Sequence, residues 1–82
     1  MLEKKSFPID KVYVPVKRAK TLDADKVLAL AEDMLENGQT TPIRLRADGE
    51  RYVLLEGLHR LEALRALGET QVEGYVVHAR LH

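Results

Sequence analysis

The sequence predicts a small α+β fold, a mixed sheet packed by two helices in the order β-α-β-β-α-β. Three observations carry that reading. Ile9–Val14 alternates apolar and polar with a period of two; a run with helical spacing lies between Asp23 and Gly38; and an Asp48-Gly49 pair separates two further alternating runs.

Taken in order, Ile9-Asp10-Lys11-Val12-Tyr13-Val14 is the pattern of a strand with one buried face, and Pro15 ends it or marks it as an edge. Asp23 is a good N-cap, since its carboxylate can accept from the free amides of a first turn. Val27, Leu30, Ala31 and Met34 then recur at helical spacing, Leu28 and Leu35 widen the apolar stripe, and Asn37-Gly38 closes the helix. A loop at Gln39-Thr40-Thr41-Pro42 leads into Ile43-Arg44-Leu45-Arg46. Asp48-Gly49 turns the chain, and Arg51-Tyr52-Val53-Leu54-Leu55 returns beside it. A second helix runs from about Leu58 to Leu67, with Leu61, Leu64 and Leu67 inward and Gly68 as its stop. Val72 to Val77 is the last strand, with Gly74 marking a bulge or a close approach. Tyr13, Tyr52 and Tyr75 all fall in strands, where sheet packing is the expected role.

The 82 residues are expected to form one domain over 1–82, with its core at about 7–77. A chain of this size buries a modest core, and its stability is expected to be about 5 kcal/mol. It contains no cysteine, so disulfides, thiolate metal sites and thiol nucleophiles are excluded. The basic pair Lys4-Lys5 has no apolar segment behind it, and no run approaches a membrane span. The expected location is the cytoplasm. Thirteen basic and thirteen acidic side chains cancel, which counts against an extended grip on duplex phosphates and leaves room for a local anion site.

That local site is Glu56-Gly57-Leu58-His59-Arg60, where an apolar strand runs through an acid and a glycine into a helix. Amides at a helix start lack internal partners and sit at the positive end of the dipole. A glycine there admits close approach, and His59 and Arg60 add side-chain donors. Together these suit a phosphate or carboxylate. The same residues also read as a turn glycine, a surface histidine, and an arginine paired with Glu62 or Glu56. Lys26 alone reads as a solvated helix lysine, and Thr40 and Thr41 as turn residues before any ligand role. His78 and His82 stand four apart near the C-terminal end, and no metal site is expected there or elsewhere.

The chain resembles the ParB/sulfiredoxin superfamily over about residues 7–77. The resemblance rests on Phe7-Pro8-Ile9-Asp10-Lys11-Val12, on Leu22-Asp23-Ala24-Asp25-Lys26-Val27 with Leu30-Ala31-Glu32-Asp33-Met34, and on Thr41-Pro42-Ile43-Arg44-Leu45. Leu55-Glu56-Gly57-Leu58-His59-Arg60-Leu61-Glu62-Ala63-Leu64 and Leu67-Gly68 complete it. It implies a ParB/sulfiredoxin-like fold and a nucleotide, ATP or CTP with Mg²⁺, whose phosphates rest on Gly57, Leu58, His59 and Arg60. Lys26 would assist, and Thr40 and Thr41 would be accessory. Sulfiredoxins carry Gly-Cys-His-Arg at this place. Leu58 replaces the cysteine, so the resemblance does not extend to sulfinic-acid reduction. ParB partition proteins carry Gly-Glu-Arg-Arg at this place to bind the phosphates of CTP; this chain has Gly57-Leu58-His59-Arg60, keeping Arg60 but not the glutamate.

The function implied is nucleotide binding in plasmid or chromosome partition or DNA-associated regulation. A third branch, the small-molecule kinases with an acid-Gly-x-His-Arg signature, implies an ATP- or ADP-dependent phosphotransferase with Glu56 as its catalytic residue. A DNA- or protein-binding module without nucleotide chemistry is the remaining alternative. Whether the chain is an enzyme, which partner it has beyond a nucleotide, and its oligomeric state are left open by the sequence.

Overall fold

Asp48 and Gly49 place the central hairpin where the alternating runs require it. A computed structural model describes residues 4–77. In it β3 (Ile43–Asp48) pairs antiparallel with β4 (Arg51–Glu56), with Asp48 opposite Arg51. Gly49 alone takes a positive φ in this turn, 63°, which fits a two-residue loop led by glycine. The Arg51 Nε to Asp48 Oδ2 contact of 3.1 Å closes the turn, and the same guanidinium lies 4.2 Å over the Tyr13 ring.

The long helix forms as its caps dictate. α2 spans Ala24–Asn37, and the Asp23 carboxylate accepts from the amides of Asp25 and Lys26 at 3.0 and 3.4 Å. Gly38 ends it with φ 71°, its N–H bonded to the Met34 carbonyl. α3 (Leu58–Ala66) follows β4 directly through Gly57, and β5 (Gln71–Val77) completes the chain. Ile43, Leu45, Leu54, Leu61 and Val72 are the largest fully buried side chains, drawn from β3, β4, α3 and β5. Ala31 and Met34 of α2 join them in one cluster. Leu28 and Leu35 do not: they are 62% and 76% exposed, so the apolar stripe read from spacing is wider than the face the fold buries.

Among the described residues, with β1 at Lys4–Pro8, β2 at Val12–Tyr13 and α1 at Val16–Ala19, the sheet has five strands in the order β1-β5-β3-β4-β2, one more than expected, and the α-helices number three. Both differences lie near the N-terminus. Ile9–Val14 is not one strand. Ile9–Lys11 is a 3-10 turn, anchored by the Ile9 N–H on the Thr70 carbonyl at 2.9 Å, and only β2 (Val12–Tyr13) is extended, parallel to β4. The strand expected there lies earlier, as β1 (Lys4–Pro8), antiparallel to β5. It is an edge strand with one buried residue, Phe7, so it shows no alternation to read. Edge lysines and a proline are what blunt such an edge against pairing with another chain. α1 (Val16–Ala19) is a single turn begun by Pro15 that buries nothing. Phe7 meets Tyr52 edge-on, ring centroids 4.9 Å apart, which confirms sheet packing for that tyrosine.

Three local features position the site. The β3–β4 register shifts between Arg44 and Leu45: Arg44 faces Glu56 while Leu45 faces Leu54. The extra residue, Leu55, bends β4 as it reaches Glu56-Gly57. Gly74 is a close approach rather than a bulge, since a Cβ there would stand 3.0 Å from the Ile43 carbonyl oxygen and the β5 register is unbroken. Finally, Gln39 does the work of a strand residue. Its Nε2 donates to the Glu73 carbonyl and its Oε1 accepts from the Glu73 amide, both at 2.8 Å. Gln39→Ala leaves both backbone groups without this partner. It is expected to lower stability by about 1–2 kcal/mol, read from the urea midpoint at unchanged m-value.

Candidate functional site

α3 begins on a glycine whose place no larger residue could take without displacing Ile43. Gly57 has φ 110°, and a Cβ built on it would stand 2.5 Å from Ile43 Cγ2 and 2.8 Å from Ile43 Cβ. The glycine therefore has a structural cause independent of any ligand. No side chain caps this helix at Gly57. The first intrahelical bond runs from the Leu61 amide to the Gly57 carbonyl, so the amides of Leu58, His59 and Arg60 have no partner within the helix.

Beside this helix start, Lys26, His59 and Arg60 line one shallow groove of about 420 Å³ with Ala29, Leu30 and Asp33. Two helices thus bring together three of the residues singled out in the sequence. Neither Lys26 nor Arg60 takes part in an ion pair among the described residues; Glu62, the partner considered for Arg60, pairs with Arg65 at 3.5 Å instead. His59 accepts the backbone N–H of Asp23 at its Nε2, 3.0 Å away, so the two helix starts meet here. Ala29 and Leu30 add apolar lining to the groove, and Asp33 lines it two turns along α2 from Lys26, its Oδ1 accepting from Asn37 Nδ2 at 3.0 Å.

The other candidates lie elsewhere. The Leu58 side chain is buried in the core, which leaves only its backbone amide for a ligand. Glu56 is exposed at the end of β4, does not line the groove, and makes no ion pair among the described residues. Thr40 and Thr41 are exposed in the α2–β3 loop and do not line it either; the Thr41 carbonyl accepts from Gln39. His78 and His82 lie outside the described residues. Among the described residues no three His, Cys, Asp or Glu side chains gather to hold a metal ion, and no helix is long and apolar enough to cross a membrane. Sequence reasoning missed Asp33 as a groove residue. Its signal was present, because seven positions from Lys26 is two turns along the same helix face.

The ParB N-terminal domain family matches residues 3–81. No curated protein matches the sequence. Among solved structures, sulfiredoxin from Arabidopsis thaliana superposes with a TM-score of 0.84 at 25% identity, over 94% of this chain and 86% of that one. The C-terminally truncated chromosome-partitioning protein ParB from Caulobacter crescentus, complexed with CTP-γ-S, gives 0.78 at 20% identity over 98% of this chain. A free serine kinase in complex with AMP gives 0.79 at 19% identity over 93%. The last two share the fold, and this chain spans only 46% and 31% of their lengths.

Proposed function

Because the chain belongs to the ParB N-terminal domain family, we propose that it binds a nucleotide by its phosphates at the start of α3. The observation that carries this reading is the groove lined by Lys26, His59 and Arg60, the last two standing in the first turn of a helix whose opening amides have no intrahelical partner. Two cations and a row of backbone donors suit a multiply charged phosphate chain. The apolar lining from Ala29 and Leu30, with Asp33, then offers a sugar or base a surface to lie on and an acceptor for its hydroxyl or amino donors. Nucleotide complexes of the ParB from Caulobacter crescentus and of the serine kinase support the reading from relatives of like fold. Mg²⁺ would ride on the phosphates, as it does where a protein supplies few carboxylates of its own. A part in DNA partition or regulation belongs to the same proposal at one remove.

Calorimetric titration of ATP, ADP and CTP, each with and without Mg²⁺, tests it. Binding of at least one at micromolar concentration is expected, and the base preferred assigns the branch. Absence of heat with all three would overturn the reading and move duplex DNA or a protein partner to first place. Glu56 adjoins Gly57 with its carboxylate unpaired among the described residues, which supports a second reading, phosphoryl transfer. Nucleotide turnover unchanged in Glu56→Gln would remove it.

A further inference from the structure

The N-terminus of α2 is capped in an unusual division of labour. In a capping box the N-cap side chain accepts from an amide within the first turn. The third helical residue, a Glu or Gln, reaches back to accept the N-cap's own N–H. Asp23 performs the first half on Asp25 and Lys26. The third helical residue here is Lys26, an ammonium that can only donate. The missing acceptor comes from α3 instead: His59 Nε2 takes the Asp23 N–H at 3.0 Å. A neutral imidazole that accepts at Nε2 carries its proton on Nδ1.

We propose that this is a capping box closed between two helices, and that it makes the Asp23 backbone amide a positioning group for the anion site. It sets His59 as the Nδ1–H tautomer, leaving that N–H as the ring's one donor for a ligand in the groove. It also relieves position 26 of its usual capping duty, so that a cation can stand there. The donor half rests on the phosphate-binding reading; the box itself does not.

Long-range proton–nitrogen correlation spectra of the imidazole, taken where the ring is neutral, read the tautomer directly. Nδ1–H is expected, and Nε2–H would overturn the proposal. Hydrogen exchange at the Asp23 amide should quicken about tenfold in His59→Ala, as for a lost hydrogen bond. It should stay slow in His59→Gln, whose Oε1 can stand where Nε2 stood. His59→Asn is too short to reach and should exchange like the alanine variant. An Asp23 amide indifferent to all three would sink the box. For inorganic triphosphate, His59→Gln should bind within about threefold of the parent and His59→Asn about tenfold more weakly, with both variants folded. Equal losses in the two would remove the positioning role. Should the parent bind no triphosphate, the donor half falls together with the phosphate-binding reading, and the spectra and exchange rates still decide the box.

Discussion

Gly57→Ala is expected to leave the protein largely unfolded near its working temperature. Two costs coincide at this position. A backbone with φ 110° is one that side chains rarely adopt, at about 1–3 kcal/mol. The new methyl would also sit 2.5 Å from Ile43 Cγ2 and 2.8 Å from Ile43 Cβ, in a core where overpacking costs about 1–3 kcal/mol. Ile43 is fully buried and begins β3, so it has nowhere to retreat. A sum of about 4 kcal/mol approaches the whole stability of a domain this small, and corresponds to a fall in Tm of about 20 °C. Gly49→Ala separates the two causes. Gly49 also has positive φ, 63°, but open space where its Cβ would go, so only the backbone cost of about 1 kcal/mol is expected. If thermal melts place the two variants at the same Tm, Ile43 is not the obstacle to a side chain at position 57.

Arg60→Ala is expected to weaken nucleotide binding by about tenfold to a hundredfold, the worth of a charge-assisted hydrogen bond to phosphate. Stability should hardly change, because Arg60 makes no ion pair among the described residues and is half-exposed. Arg60→Lys should fall between, since an ammonium keeps the charge and loses the planar fork. Lys26→Ala should cost less, about three- to tenfold, because an exposed lysine acts mainly through a screened charge. Arg65→Ala is the control. It lies on the same helix with the same charge but pairs with Glu62, and it should bind within about twofold of the parent. Equal weakening by Arg60→Ala and Arg65→Ala would mean that general charge, and not the groove, attracts the ligand.

How far the sequence could be read depended on whether the cause was local. Asp23 and Gly38 bracket α2 because a cap and a left-handed stop act within one turn. Asp48-Gly49 and the strand-to-helix passage at Gly57 are equally short-range, and both stand where they were expected. β1 escaped notice because Lys4-Lys5-Ser6 is a polar edge whose strand character comes from pairing with β5, far along the chain. The 3-10 turn at Ile9–Lys11 puts the buried side chains of Ile9 and Val12 three residues apart rather than two, and it is held by a bond to Thr70 that no pattern announces. α1 buries nothing and so leaves no periodicity. In the site, Lys26, His59 and Arg60 come together because α2 and α3 cross, and spacing within either helix alone does not reveal that. The same crossing leaves Leu28 and Leu35 in solvent although their spacing matches the buried stripe.

The order of strands also has a kinetic side. The β3–β4 hairpin closes over a two-residue loop, and β5, reached from β4 through α3, pairs with β3. Among the described residues β1 pairs with β5 alone, and its first pair, Lys4 with Tyr75, joins opposite ends of that stretch. Closing so long a loop is repaid only after the rest of the sheet exists. β1 should therefore add last during refolding and contribute little to the folding barrier. Phe7→Ala would then chiefly speed unfolding and leave the refolding arm of a chevron plot almost unmoved. A slowed refolding arm would instead put the chain ends in the nucleus.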